Sequence, residues 1–266
     1  MGKKLSVVHD KLVTFEIDKN IGKICIDNPP ANILNRSTLS SLEVAMQALI
    51  CNNAVSVIII TGKGEKFFVG GADIQEFKEL NQKSGEIWLR FFQKVFSLIY
   101  HSPKIVIAAI NGYALGGGCE LALACDLRVA AENAKFGQPE VNYNIIPGAG
   151  ATQRLSHLIG FGRAKDLIFT GRIIDAKEAY QIGLVNRISP YNQLIDETQK
   201  LAYEILTKGP VALQFAKEAI NSSLEIPLQE GLDLEVSLFG KICETDDKNE
   251  GADAFLEKRT PNFKGK

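Results

Sequence analysis

The residues most able to do chemistry gather in one stretch, "GGGCELALACDLRVAAENAKFGQPE" (116–140), which holds two glutamates of interest, Glu120 and Glu140, and three consecutive glycines. Glu120 stands in a run of Ala, Leu and Cys that has the composition of buried chain. An unpaired carboxylate there costs several kcal/mol, so either the two acids are needed for chemistry or the segment is not buried as its composition suggests. Two acids whose surroundings push their pKa values apart can serve one reaction as general base and general acid. Plainer readings stand beside that one. Glu120 can be an acid favourably placed near a helix N-terminus, and Glu140 a surface acid after proline. The residues alone leave the choice open.

The glycines narrow it. Two glycine-rich turns lead towards helix patterns, "VGGAD" at 69–73 and "LGGGC" at 115–119. Neither "LGGGCEL" nor "GAGATQ" (148–153) completes the Gly-x-Gly-x-x-Gly dinucleotide fingerprint, and no Gly-Lys-Ser/Thr of a P-loop follows. Gly-x-Ser-x-Gly, the mark of a nucleophile elbow, is also missing. A structural tight turn remains, as does an oxyanion hole. Backbone N–H groups at a helix start have no partner inside the helix and lie at the positive end of its dipole. Glycine lets a carbonyl oxygen approach them closely. Two such donors aimed at one oxygen suit enolate or tetrahedral chemistry.

The rest of the chain must position these groups. Its 266 residues, 45% hydrophobic and 23% charged, are ordinary for a globular protein with a sizeable core. A formal net charge of -1 gives no electrostatic footprint for nucleic acid. Five scattered cysteines without a Cys-x-x-Cys pair read as free thiols in a reducing, cytoplasmic setting. His9, His101 and His157 lie too far apart in sequence to suggest a metal site. The uncharged run 105–119 is broken by Asn and four glycines and is too short to span a bilayer. "MGKKLS" fits the loose N-myristoylation pattern through Gly2 and Ser6, a short pattern of little weight.

Over the first 150 residues the pattern alternates strand and helix, within an α/β core read to about residue 190. "LVTFEI" (12–17) and "GKICIDN" (22–28) read as a hairpin, and a helix starts at Asn35. "VSVIIITG" (55–62) and "KIVIAAI" (104–110) read as strands covered on both faces, with "DLRVAA" and "AKFGQ" as further strands. A helix is expected at Asp73, another over "EIWLRFFQKVFSLIYHS" (86–102), and a third carrying Glu120. Seven helical segments follow residue 149, with apolar residues three or four apart. No repeat or low-complexity linker separates the two parts.

The segment "AAINGYALGGGCELALACDLRVAAENAKFGQPEVNYNIIPGAGATQRL" closely resembles the enoyl-CoA hydratase (crotonase) family, and within it the hydratases themselves. The resemblance extends through "ANILN" (31–35), "FFVGGADIQEF" (67–77), "GLVNRI" (183–188) and "FLEKRTPNFK" (255–264), almost the whole chain in order. It implies an α/β crotonase-like fold, a spiral of repeated β-β-α units over 1–190, and a helical oligomerisation region over 191–266 forming trimers that pair into hexamers. It implies oxyanion donors on Ala72 and Gly117, acid/base catalysis by Glu120 and Glu140, and an acyl-CoA thioester substrate. Neither metal nor redox cofactor is implied, coenzyme A being part of the substrate. Substrate contacts are expected from Ala31, Asn32, Ile33 and Leu34, from Asp73 and Ile74, and from Leu115, Gly116, Pro139 and Gly148. Lys258 is expected near the nucleotide end, reaching from a neighbouring subunit.

Asn142, Tyr143, Asn144, Ala151, Phe68 and Val69 depart from the family pattern and bear on acyl-chain preference rather than on the reaction. Asn144 stands where glycine is common and can adopt a left-handed conformation in its place. Isomerases of the family typically keep one of the two glutamates, so keeping both favours hydration. A non-catalytic RNA-binding relative is disfavoured by the missing basic stripe, and a dinucleotide-dependent oxidoreductase by the failed fingerprints.

Overall fold

The computed structural model describes residues 5–8 and 11–266, so Gly2 and His9 lie outside the described residues. Strands β1 (Leu5–Val8), β2 (Val13–Asp18) and β3 (Ile21–Ile26) form an antiparallel meander, its second hairpin the one expected from sequence. Helix α1 (Arg36–Ile50) starts where Asn35 caps it by accepting the Thr38 N–H.

A strand–strand–helix unit then recurs. In its first turn β4 (Val57–Gly62) and β5 (Phe67–Val69) lead to α2 (Ile74–Lys78) and α3 (Gln82–Tyr100). In the second, β6 (Ile105–Ile110) and β7 (Tyr113–Leu115) lead to α4 (Gly117–Ala124). In the third, β8 (Leu127–Ala131) and β9 (Lys135–Gly137) pass through a 3-10 turn (Pro139–Tyr143) to α5 (Ala151–Ile159) and α6 (Phe161–Thr170). After β10 (Ile173–Asp175), α7 (Ala176–Gln181) and β11 (Arg187–Ser189) come four helices: α8 (Leu194–Leu206), α9 (Pro210–Ser222), α10 (Leu228–Cys243) and α11 (Asp246–Leu256).

Within each unit the first strand joins a seven-stranded sheet, β1-β2-β3-β4-β6-β8-β11, and the second joins a four-stranded sheet, β10-β9-β7-β5. From β3 to β11 the larger sheet is parallel. This is the spiral of β-β-α units that the family resemblance implies. Short strands β5, β7, β10 and β11 were not separable in the sequence. Three residues cannot display an alternating pattern, and their pairing partners lie far along the chain.

β4 shows why its run is uninterruptedly apolar. Ile58 and Ile60 join the main core against α1, α3 and α4, while Val57 and Ile59 face a second cluster closed by Leu194, Leu201 and Ala202 of α8. Both faces of the sheet are covered, as a parallel sheet requires. Helix α9 is tied to this core by Lys217, whose Nζ donates to Asp126 Oδ2 at 2.8 Å and to the Lys104 carbonyl at 3.0 Å. Helices α10 and α11 are less covered: Leu228, Val236, Phe239, Phe255 and Leu256 are all exposed in the single chain.

Candidate active site

The second strands of successive units end side by side, so their following turns converge. The turn after β5 carries Gly70, Gly71 and Ala72, and residues 31–34 hold it. Gly70 N–H donates to the Ala31 carbonyl at 2.8 Å, Leu34 N–H to Gly71 at 2.8 Å, and Asp73 N–H to Leu34 at 3.0 Å. Asp73 also caps α2 by accepting the Gln75 N–H. Buried Asn32 reaches the Lys63 and Phe67 carbonyls with its amide, and Asn111 reaches Gly64 and Phe67, so two asparagines fix the approach to β5.

The turn after β7 carries Gly116, with φ 50°, and opens α4. Residue 118 must be glycine for a different reason. A side-chain carbon there would overlap the Val69 carbonyl, so α4 can lie against β5 only without one. That close approach brings the start of α4 beside Ala72. The position a side-chain carbon would take on Gly117 is 3.6 Å from the Ala72 nitrogen.

Glu120 lies in the first turn of α4 and is buried, only 3% exposed. Its Oε1 accepts the Ala149 N–H at 2.8 Å and the Ala151 N–H at 3.0 Å, donors at the start of α5. This answers the cost of burial: the carboxylate is held at a helix N-terminus. Burial still pushes its pKa up, opposed by those two N–H groups and by the charge of Arg154.

Glu140 comes from the 3-10 turn, whose end is closed by Asn144 in the left-handed conformation, φ 57°. That is the conformation its sequence position called for. Burial, and then the charge of Glu120, push the Glu140 carboxyl up to about 7. Gln138 is fully buried beside it. With its carboxamide turned so that nitrogen faces the carboxylate, it donates to Oε1 at 3.0 Å and Oε2 at 3.1 Å of Glu140. Cys119 sits between these acids with its thiol pushed up to about 12 by burial, so it stays protonated.

Both glutamates, Ala72 and Gly117 line one cavity of about 620 Å³, together with Ile74, Leu115, Gly116, Pro139 and Gly148. Phe77, Leu80, Trp88, Leu89 and Phe92 supply an apolar wall. Trp88 is pinned, its indole donating to Glu76 Oε2 at 2.9 Å and its ring lying 4.4 Å from that of Phe92.

Among the residues expected to touch substrate, Ala31, Asn32, Ile33, Leu34 and Asp73 do not line this cavity; they brace the turn that does. Lys258 is exposed at the end of α11, φ 57°, and lines neither this cavity nor its mouth within the single chain. Three further residues escaped the sequence reading. Gln138 holds Glu140, Arg154 lies beside the Glu120 cradle, and Arg128 donates to the Ala122 and Cys125 carbonyls at the end of α4. An arginine inside the apolar strand "DLRVAA" was the one available signal for Arg128.

The enoyl-CoA hydratase/isomerase family model matches residues 16–266. The chain belongs to the enoyl-CoA hydratase/isomerase family. A crotonyl-CoA hydratase from Syntrophomonas wolfei is 45% identical over 252 residues, covering 94% of this chain and 97% of the relative. A short-chain-enoyl-CoA hydratase from Clostridium acetobutylicum is 43% identical over 248 residues, covering 93% and 95% respectively. The crystal structure of an enoyl-CoA hydratase from Bacillus anthracis superposes with TM-score 0.91 at 40% identity, covering 96% of this chain and 100% of that one. The fold is therefore that of the crotonase family.

Proposed function

We propose that the chain is an enoyl-CoA hydratase, a hydro-lyase that reversibly adds water to a trans-2-enoyl-CoA to give the 3-hydroxyacyl-CoA. One observation carries this reading: two glutamates and the turn residues Ala72 and Gly117 line a single cavity. The thioester oxygen accepts from the N–H groups of Ala72 and Gly117. As water adds to the β-carbon, negative charge moves onto that oxygen, where preorganised donors are worth most.

Glu120 and Glu140 divide the proton traffic. Oε1 of Glu120 is already occupied by two N–H groups, so Oε2 is the oxygen that holds the water and takes its proton. Glu140, raised to about 7 by burial and by Glu120, delivers a proton to the α-carbon. The C=C π bond and one O–H bond of water break, and one C–O and one C–H bond form. The proton gained by Glu120 passes back to Glu140 to restore the pair, with no electron leaving or entering. The reaction needs no cofactor beyond the coenzyme A of its substrate.

The names of the two bacterial relatives favour a short acyl chain, and the apolar wall of Phe77, Leu80, Trp88, Leu89 and Phe92 is where it would lie. Lys258, exposed in the single chain, is proposed to contact the nucleotide end of substrate bound by a neighbouring copy. The uncovered apolar side chains of α10 and α11 support a trimer or a pair of trimers, with 191–266 as the assembling part and 1–190 as the catalytic core. No helix among the described residues is long and apolar enough to cross a membrane, and a cytoplasmic setting is proposed. Loss of the 2-enoyl thioester absorbance with crotonyl-CoA, compared with longer trans-2-enoyl-CoAs, tests activity and chain preference together. A chain that leaves every one of these thioesters unchanged is not a hydratase.

A further inference from the structure

Arg154 of α5 plays no part in the mechanism above and does not line the catalytic cavity. It lies instead on an adjoining groove with Tyr100, His157 and Asn221, between α3, α5 and α9. Its Nη1 donates to the Ala149 carbonyl at 3.2 Å, and the Ala149 N–H donates to Glu120 Oε1 at 2.8 Å. A side-chain carbon on Gly150 would overlap the Arg154 guanidinium, so the group is folded tightly over this turn. The guanidinium lies 4.9 Å from the centre of the Tyr100 ring. Tyr100 is in turn fastened to α9: Asn221 Nδ2 donates to the Tyr100 carbonyl at 2.9 Å, and Tyr100 OH to the Asn221 carbonyl at 3.4 Å.

We propose that Arg154 is a positioning residue for Glu120, clamping the 149–151 turn that cradles its carboxylate and setting a positive charge behind it, with Tyr100 as the platform. The charged and titratable groups facing Glu120 are few. Glu140 approaches from the 3-10 turn, Arg154 from α5, and the protonated Cys119 from α4 itself. Arg154 is the group among them that favours the ionised form, in which Glu120 takes a proton from water. The chain of contacts runs from α9 through Tyr100 and Arg154 to the turn that holds the base.

The kinetic arm of the test rests on the hydratase reading; the spectroscopic arm does not. Infrared difference titration, using Glu120→Gln to assign the band, reads Glu120 protonation without turnover. Arg154→Met is expected to move that titration, and the acidic limb of kcat/KM with crotonyl-CoA, upward by about one pH unit. It is also expected to lower kcat about tenfold, with a smaller change in KM. Arg154→Lys should return both titrations towards wild type while recovering only part of the turnover, because ammonium cannot reproduce the fork. Tyr100→Leu should shift the titration in the same direction by less. An unshifted Glu120 band in Arg154→Met overturns the proposal, as does a lysine variant no closer to wild type than the methionine one. If Arg154→Met fails to fold, an unshifted band in Tyr100→Leu overturns it. A wild-type protein that does not hydrate crotonyl-CoA overturns the hydratase reading alone.

Discussion

Gly116 and Glu140 occupy one small volume: a side-chain carbon on Gly116 would lie 2.8 Å from Glu140 Oε1. The glycine also holds φ 50° and ψ -121°, which L-residues avoid. The absence of a side chain thus serves the turn and the acid together. Gly116→Ala is expected to displace the Glu140 carboxylate and lower kcat by about 10² or more. The accompanying backbone strain, about 1–3 kcal/mol, should appear as a lower melting temperature. Kinetics and thermal melting of the purified variant check both.

Gly117 separates the two roles. An added methyl there would meet Ala72 N and Leu34 Cδ1 at 3.6 Å, ordinary contact, and its φ is not in the left-handed region. Gly117→Ala is therefore expected to fold with near-native stability. The methyl stands against the Ala72 nitrogen, where the thioester oxygen must enter, so turnover should fall about 10²–10³, roughly 2.7–4 kcal/mol in the transition state. Thermal melting, gel filtration and the crotonyl-CoA assay on one preparation compare these outcomes.

The Glu140 carboxyl titrates at about 7 in the folded chain against 4.5 ordinarily. Between those values the folded state binds the proton that the unfolded state has released, so stability falls as pH rises through this window. Glu140→Gln removes that dependence. Its stability advantage over wild type is expected to be absent below pH 4.5 and to grow up to about pH 7, then level off. Urea unfolding of both proteins across this range measures the difference. Parallel curves at every pH would contradict the raised titration.

Lys217 and Asp126 join α9 to the core with side chains only 7% and 17% exposed. Burial pushes the Asp126 carboxyl up, and Lys217 opposes this. Lys217→Met leaves that buried carboxylate without its ion pair, holding only the Val106 N–H at 2.7 Å, with an expected loss of about 3–5 kcal/mol. Equilibrium denaturation reads it directly.

Much of this was legible beforehand. Asn35 and Asp73 declared helix starts, Asn144 its left-handed turn, and the two glycine-rich loops their place ahead of α2 and α4. The paired glutamates could be found, but not the way they are held. The Ala149 and Ala151 donors lie about thirty residues from Glu120, and Arg128 reaches a carbonyl 56 residues away. Such contacts follow from the spiral's stacking and leave no local periodicity. The same holds for β5 and β7, three residues each, which are strands through their pairing with each other and, for β7, with β9. Nor does local pattern show that the 31–34 segment braces the turn carrying Ala72, through bonds to residues nearly forty positions away.

The central claim is that two carboxylates share the addition of one water. The most direct measurement follows the 2-enoyl thioester band of crotonyl-CoA with wild type, Glu120→Gln and Glu140→Gln, each first shown to be folded by its melting curve. Wild type is expected to hydrate the thioester, and each variant to lose about 10² or more in kcat. Near-wild-type hydration by either folded variant would contradict the two-carboxylate mechanism.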